Sequence, residues 1–263
     1  GDWAERFLDL AAAFRDPGPV RAVRCSTRPD AVDPARLARL RDLGLDLVEL
    51  GVQSFDSRCL AESGRGYGRE QALAACAMVR GAGLGLGIQL LPGLPGMPPE
   101  PDGAFARDVA LALAQGPQAV RLYPCVVLPG TGLARSWAAG SYAPWTVAQA
   151  ADLLGRALLA CWRAGVPVIR LGLAPQPGLA RDILAGPWHP ALGQMARSRA
   201  LWSHVADALE RRGLRPARLL VPRRHLSDVL GHGREMLPAW AGLGLAEDRI
   251  RVWEQSGFGV EPH

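Results

Sequence analysis

Short apolar runs alternate with helical segments along the first two-thirds of this chain, at intervals of about 30 residues. This alternation limits what the chain can fold into. The apolar runs are Val20–Cys25, Asp46–Val52, Leu84–Leu91, Ala119–Leu128 and Val166–Leu171. Between them, Pro34–Leu43, Arg69–Gly81, Ala104–Ala114 and Val147–Ala164 read as helices. Parallel strands need crossover connections of about a dozen residues or more, and these segments supply them. The pattern predicts an α/β fold with a parallel sheet flanked by helices. The runs end in polar residues: Ser26-Thr27-Arg28, Gln53-Ser54, Gln89, Tyr123 and Arg170. Polar strand ends suit a barrel or partial barrel, whose site lies at the C-terminal ends of its strands. A doubly wound open sheet, with its site at a switch point, is the alternative. Past about Pro175 the pattern changes. A Pro-flanked loop at Gly186–Pro190 precedes a helix over Ala196–Arg212 and a strand at Arg218–Pro222. Helical stretches at Leu226–Leu230 and Arg234–Leu243 and a strand at Arg249–Glu254 complete an α+β extension. The expected division is therefore 1–175 and 176–263.

Composition removes several chemistries. The chain has 30 Lys+Arg and no lysine, so every basic side chain apart from histidine is Arg. Without lysine there is no Schiff-base site and no P-loop. Asparagine is absent too, and a GC-rich genome accounts for both absences. A net charge of +5 is a modest field, compatible with an anionic partner without indicating one. The cysteines Cys25, Cys59, Cys76, Cys125 and Cys161 lie at least 17 residues apart, with no CxxC. Scattered, odd in number and each most simply a small buried hydrophobe, they suggest a reducing, cytoplasmic setting. No two histidines stand at i,i+4 and no GxSxG occurs, so no metal site and no hydrolase elbow is expected. The longest apolar stretches, such as Leu84–Leu94, are short and broken by glycine, so no membrane span is expected. The chain starts at Gly1 in what reads as a helix over Asp2–Phe14, so it is expected to be a fragment or to lack its natural start.

Five segments carry candidate chemistry. Ser26-Thr27-Arg28-Pro29-Asp30 leaves a strand with hydroxyls and a guanidinium, fit for a carboxylate or a ribose; equally it is a loop whose Asp33 caps the next helix. Glu49-Leu50-Gly51-Val52-Gln53-Ser54-Phe55 ends a buried strand in an amide, which needs a partner. Glycine within that strand suggests close approach of a ligand or another backbone, and Glu49 also reads as a structural acid paired with an Arg. Arg65-Gly66-Tyr67 offers a donor fork and a stacking face in a turn, although a solvated Arg is the commoner case. Gln89 precedes the rigid Pro92-Gly93-Leu94-Pro95-Gly96 loop, which is not a GxGxxG. Arg121-Leu122-Tyr123-Pro124 through Leu133, followed by Gly140-Ser141-Tyr142, reads as a strand and a tight turn.

In order and strand context, the stretch STRPD…VELGVQSF…RGY…QLLPGLPG…VRLYPCVVLPGTGLA…GSY resembles the radical S-adenosylmethionine superfamily. It is similar to the radical domain of the Elongator catalytic subunit and its shorter prokaryotic relatives. The oxygen-independent coproporphyrinogen oxidases share GVQSF and GLP at a greater distance, and a coproporphyrinogen-oxidase-like or other small-molecule radical enzyme is the alternative. The resemblance spans about Val23 to Tyr142 and continues more weakly through IRLGL and AGPWHPALG. It implies a partial (β/α)6 barrel in which a 4Fe-4S cluster reduces S-adenosylmethionine to a 5′-deoxyadenosyl radical. It assigns Gln53, Arg65 and Gln89 to S-adenosylmethionine, with Ser26 and Arg28 at the first strand end. It also implies an electron donor such as flavodoxin or ferredoxin, and tRNA as a substrate, for which Tyr123 and Arg211, Arg212, Arg223 and Arg224 are the candidate contacts in this sequence. Those arginines, with Arg215 and Arg218, occupy a window without acids. The window fits a phosphate backbone; Arg standing where other genomes use Lys on a solvated helix end is the commoner explanation.

One departure is large. The superfamily's CxxxCxxC cluster loop and the glycine-rich end of its second strand have no match. The resemblance places both before Gly1, so the first βα units are expected to be missing. The chain as given is then expected to be inactive in radical chemistry. A protein that binds S-adenosylmethionine without a cluster, or an interaction protein, is the non-enzyme alternative.

Overall fold

The computed structural model describes residues 2–15, 18–173 and 178–262. In chain order the helices are α1 (Asp2–Ala12), α2 (Pro34–Asp42), α3 (Ser57–Glu62), α4 (Arg69–Gly81), α5 (Ala104–Ala114), α6 (Gly132–Ala138), α7 (Val147–Arg163), α8 (Leu179–Asp182), α9 (Leu192–Arg212), α10 (Leu226–Leu230) and α11 (Leu237–Gly242). The strands are β1 (Arg24–Thr27), β2 (Leu47–Gln53), β3 (Gly85–Leu90), β4 (Ala119–Leu122), β5 (Val168–Leu171), β6 (Pro216–Pro222), β7 (Ile250–Trp253) and β8 (Gly259–Pro262).

The first five strands form one parallel sheet in the order β1-β2-β3-β4-β5. A doubly wound sheet reverses its strand order at a switch point; this order never reverses. Sequential order with intervening helices is that of a barrel segment, so the partial barrel holds and the open-sheet alternative falls. One face of the sheet is a dry core. Val48, Leu50, Val52, Leu86, Ile88, Leu90, Val120 and Leu122 are buried. They share a cluster with Ala72, Ala75, Cys76 and Val79 of α4 and with Phe105, Val109 and Ala112 of α5. The α4 residues recur at i, i+3, i+4 and i+7, a helical stripe of small side chains that lets the helix lie close to the strands.

Local chemistry sets the helix starts. Asp33 accepts from Arg36 N at 2.9 Å and caps α2. Thr146 and Gln149 form a reciprocal capping box at the start of α7. Several expected strands are shorter than their apolar runs; β3 is Gly85–Leu90 and β5 is Val168–Leu171. The strand expected over 20–25 is Arg24–Thr27, because its ladder begins where Arg24 meets Leu47, the first residue of β2. The strand expected over 119–128 ends at Leu122. Pro124 has no N–H and breaks the ladder, although Tyr123 N and Cys125 N still donate to Leu90 O and Pro92 O.

The second sheet is three-stranded, in the order β7-β6-β8, with β7 parallel and β8 antiparallel to β6. β8 is absent from the sequence expectation because Gly259–Pro262 has no apolar run; it exists only by pairing with β6. The helix expected over Arg234–Leu243 is a 3-10 turn at His232–Arg234 and then α11, because Gly233 and Arg234 take positive φ and Pro238 starts a new helix. The expected boundary at residue 175 lies outside the described residues. α9 packs in both cores: Ala196 joins the cluster of the five-stranded sheet, while Leu201, Val205 and Leu209 join that of the second sheet. Its crossing with α7 is close. A Cβ on Gly155 would stand 3.0 Å from both Ala196 O and Arg199 Cβ. We expect Gly155→Val to force α7 and α9 apart and lower stability by about 1–3 kcal/mol, the usual cost of overpacking. Urea unfolding of the two proteins checks this; an unchanged midpoint means that the contact yields freely.

Candidate active site

The site lies at the C-terminal ends of β1 to β4. Parallel register places Ser26 beside Glu49, Glu49 beside Gly87, and Gln89 beside Arg121. Ser26 Oγ donates to Glu49 Oε1 at 3.2 Å. Arg121 Nε stands 3.0 Å from Glu49 Oε2. Glu49, 2% exposed, is therefore the paired acid that its strand position allowed. Gly87 leaves room for it, since a Cβ there would meet Glu49 Cβ and Cγ at 3.3 Å.

Gln53 ends β2 with φ 66, one of two non-glycine residues with positive φ among the described residues. A non-glycine residue in the left-handed region costs free energy and persists only where its surroundings hold it. Its side chain explains the strand glycine. A Cβ on Gly51 would meet Gln53 Nε2 at 2.8 Å, so the close approach predicted at Gly51 is made by the chain's own amide. Gln89 Nε2 donates to Gln53 Oε1 at 3.4 Å, a long bond that brings the two predicted amides together.

Immediately after Gln53 the chain is clamped from beneath. Asp108 of α5 accepts from Ser54 Oγ at 2.5 Å and from Phe55 N at 2.7 Å, while Ser54 Oγ accepts from Asp56 N at 3.0 Å. Asp108 is 1% exposed, and burial pushes its carboxyl up to about 6 against the two hydrogen bonds that favour the anion. Ser54 and Phe55 thus act as structural anchors for the strained corner. The motif reading named them without finding Asp108, which sits inside an apolar helix 53 residues from Phe55.

Arg28 and Arg65 both stack on Tyr67, each guanidinium carbon 5.6 Å from the ring centroid. The Tyr67 hydroxyl lies 2.9 Å from Gly51 O and 3.0 Å from Val52 O, which ties this cluster to the end of β2. The two arginines differ in their partners. Arg28 makes a two-pronged pair with Asp30, Nε to Oδ1 and Nη2 to Oδ2, both at 2.8 Å. Its Nη2 also lies 2.5 Å from Arg65 O. Arg65 Nε donates to Tyr67 Oη at 3.3 Å and its Nη2 to Gly51 O at 3.4 Å. No ion pair to an acid is made by Arg65 among the described residues. Of the two, Arg65 is the cation with charge to offer a ligand.

The rigid loop after β3 is held from the far side. Tyr142 Oη donates to Gly93 O at 2.7 Å and Trp145 Nε1 to Met97 O at 2.8 Å. Gly93 has φ 87, and a Cβ there would stand 3.4 Å from the Trp145 ring. The Gly140-Ser141-Tyr142 segment therefore serves as a brace for Pro92–Gly96. Tyr123 follows β4, half-buried at the mouth. The basic window does not converge. Arg211 and Arg212 close α9, while Arg223 and Arg224 follow β6, whose seven residues separate the two pairs by roughly 20 Å. Arg218 pairs with Glu261, Arg223 pairs with Glu254, and Arg224 donates to Ser256 O.

The cysteines sit on β1, on α3, α4 and α7, and in the segment after β4. Burial pushes the thiols up, Cys59 to about 12 and Cys76 and Cys161 to about 11. Among the described residues no three His, Cys, Asp or Glu side chains converge to hold a metal ion. No helix is long and apolar enough to cross a membrane, again among the described residues.

The buried carboxyl of Asp108 has a pH signature. Its folded value lies above its ordinary one, so between about pH 4 and 6 the native state holds a proton that the unfolded state has released. Stability is then greatest below this window and falls as pH rises through it, by up to about 1.4 kcal/mol per pH unit from this group. We expect Asp108→Asn, which keeps an acceptor for Phe55 N, to remove this part of the decline. Denaturant unfolding at several pH values reads it; an Asn variant with the wild-type slope would exclude Asp108 as its source.

Comparison with known proteins bears on this geometry. The Radical SAM superfamily model matches residues 3–109, and that of the Radical SAM C-terminal domain matches residues 117–201. The tRNA uridine(34) acetyltransferase of Methanocaldococcus infernus is 31% identical over 136 residues, 52% of this chain and 26% of that protein. Its counterpart in Dehalococcoides mccartyi is 37% identical over 119 residues, 45% of this chain and 26% of that protein. Homo sapiens Elongator complex protein 3 is 26% identical over 136 residues, 52% of this chain and 25% of that protein. This chain thus spans about a quarter of the length of these curated relatives. The structure of archaeal Methanocaldococcus infernus Elp3 with an N-terminal deletion superposes with a TM-score of 0.59 at 23% identity. That likeness, over 84% of this chain and 53% of the other, is one of fold. Strand order, the motifs at the strand ends and two adjoining family models agree, and this chain belongs to the radical S-adenosylmethionine superfamily as an Elongator-like member.

Proposed function

We propose that this chain provides the S-adenosylmethionine-binding part of an Elongator-type radical enzyme whose substrate is tRNA. The observation that carries the cofactor reading is Gln53, held at φ 66 with its amide turned back over Gly51 and facing Gln89. An amide pair with one strained member, Gln53, beside a guanidinium without an acid ion-pair partner among the described residues suits a ligand with both hydroxyl and carboxylate groups. Arg65 takes the methionine carboxylate. Gln53 and Gln89 take the ribose hydroxyls or the amino group, trading their long mutual bond for bonds to the ligand. Ser26 orients Glu49, and Arg28, neutralised by Asp30, stiffens the Tyr67 platform. When bound, S-adenosylmethionine supplies a carbon–sulfur bond that one-electron reduction cleaves. The superfamily implies a 4Fe-4S cluster as the source of that electron, and an electron donor such as flavodoxin or ferredoxin behind it. The thiols of this chain do not fit such a cluster: they are dispersed and held protonated by burial. We therefore read the chain as given as binding S-adenosylmethionine without cleaving it. Residues 1–175 form the binding unit in this reading, and 176–263 an α+β extension. Five free cysteines suit a reducing, cytoplasmic setting.

Two experiments decide this. Arg65→Ala is expected to weaken S-adenosylmethionine binding by at least about tenfold, the loss of a charge-assisted pair, while circular dichroism stays unchanged. Calorimetric titration showing equal affinity would refute the role given to Arg65. Anaerobic treatment with iron and sulfide is expected to leave the chain colourless; a brown, cluster-bearing protein would overturn the inactive reading. For tRNA, the printed names of the relatives supply the motive. A joint Arg223→Ala and Arg224→Ala change should weaken tRNA binding and flatten its dependence on salt. An unaltered salt slope would remove that pair from the interface.

A further inference from the structure

The lumen carries a second group of cations, apart from the one around Tyr67. β3, β4 and β5 are in register at Gln89, Arg121 and Arg170. Residues paired in a parallel ladder project from the same face on strands about 4.8 Å apart, so these three side chains form one polar row. Arg65 and Arg28 lie at the β1–β2 end of the sheet, tied to Gly51 and to each other. Arg121 and Arg170 lie at the β4–β5 end. The Gln53–Gln89 pair stands between the two groups.

Arg121 is positioned in advance. Its side chain is 19% exposed, and Nε lies 3.0 Å from the buried Glu49 carboxylate. The contact is an ion pair without hydrogen-bond alignment, so the Nε–H remains without a hydrogen-bond acceptor. Glu49 thereby fixes the near end of the guanidinium and balances its charge. Arg170 is exposed and makes no ion pair or hydrogen bond among the described residues. The β4–β5 ladder shifts register between Val120 and Arg121, so that Arg121 faces Arg170 and Ile169 becomes the extra residue on β5. Bulges of this kind re-aim side chains and recur beside active sites. Arg121 and Arg170 against Glu49 leave one positive charge uncompensated in the row.

We propose that Arg121 and Arg170 form a subsite for an oxyanion of the substrate, a phosphate or a carboxylate, at the β4–β5 end of the lumen. The proposal rests on the reading above, in which Arg65, Gln53 and Gln89 hold S-adenosylmethionine at the other end. Guanidinium forks match the paired oxygens of both anions. Two arginines paired across one ladder can bracket one such group, and Gln89 is paired with Arg121 on the adjoining strand. Tyr123, two residues beyond Arg121 along the chain, flanks the same opening.

The test titrates the 263-residue chain by calorimetry with uridine 5′-monophosphate, uridine, malonate and S-adenosylmethionine, separately and at two salt concentrations. Arg170→Gln is the variant of choice because Arg170 has no partner to lose among the described residues, and circular dichroism checks its fold. Removing Arg121 instead would strand the buried Glu49. Binding of uridine 5′-monophosphate with no binding of uridine identifies a phosphate subsite, and binding of malonate identifies a carboxylate subsite. Arg170→Gln is then expected to weaken the bound oxyanion at least about tenfold and to leave S-adenosylmethionine affinity unchanged. Equal oxyanion affinity in wild type and variant, or no oxyanion binding to wild type, would overturn the subsite. If S-adenosylmethionine fails to bind while oxyanion binding persists and needs Arg170, the cofactor reading falls and the subsite stands.

Discussion

The in-register parallel ladder from β1 to β5 is the constraint on which the rest of the molecule depends. Parallel pairing makes every strand run the same way, so all five C-terminal ends open on one side. A polar residue near the end of any strand then joins the same mouth, whatever its distance along the chain. Ser26, Glu49, Gln53, Gln89 and Arg121 meet for this reason and no other. Between them lie the crossover helices, whose apolar stripes hold the opposite face of the sheet dry.

The mouth is not built from strand ends alone. Its corner at Gln53 is strained, and strain of about 1–3 kcal/mol needs a reaction force from nearby structure. Asp108 supplies it by gripping Ser54 and Phe55 beneath the corner, and Tyr67 supplies it from above by bonding Gly51 and Val52. Burying a carboxyl is costly, and the raised value at Asp108 records that cost. The loop after β3 shows the same division of labour: Tyr142 and Trp145 hold Gly93 and Met97 without touching the predicted ligand residues.

Much of the fold was legible because βα units announce themselves through period and length. The helices over 69–81 and 104–114 match their expected bounds, since each is a clean stripe with glycine or alanine at its ends. Strand ends were less legible. Apolar character runs on past Leu122, but Pro124 removes a ladder donor. β8 has no apolar signal and exists by pairing. Of the site, the amides and Arg65 could be named from motifs, whereas Asp108 could not, because a lone acid in an apolar helix has no local signature. The Arg-rich window is the opposite case. Fourteen residues of sequence look like one patch, and an extended β6 carries its two ends apart.

Sequence alone determined the fold class, the family resemblance and the exclusion of lysine chemistry, because periodicity, motif order and residue type are local properties. It also determined that no cysteine loop for a cluster lies in this chain. Tertiary structure alone decided which cations are free. Arg28 and Arg65 are alike as letters, yet Asp30 makes a direct two-pronged pair with one and acts on the other only at longer range. Likewise only the ladder sets Arg121 beside Arg170, whose separation of 49 positions disappears across a single pair of strands. Charge balance depends on neighbours in space, and backbone hydrogen bonding chooses those neighbours.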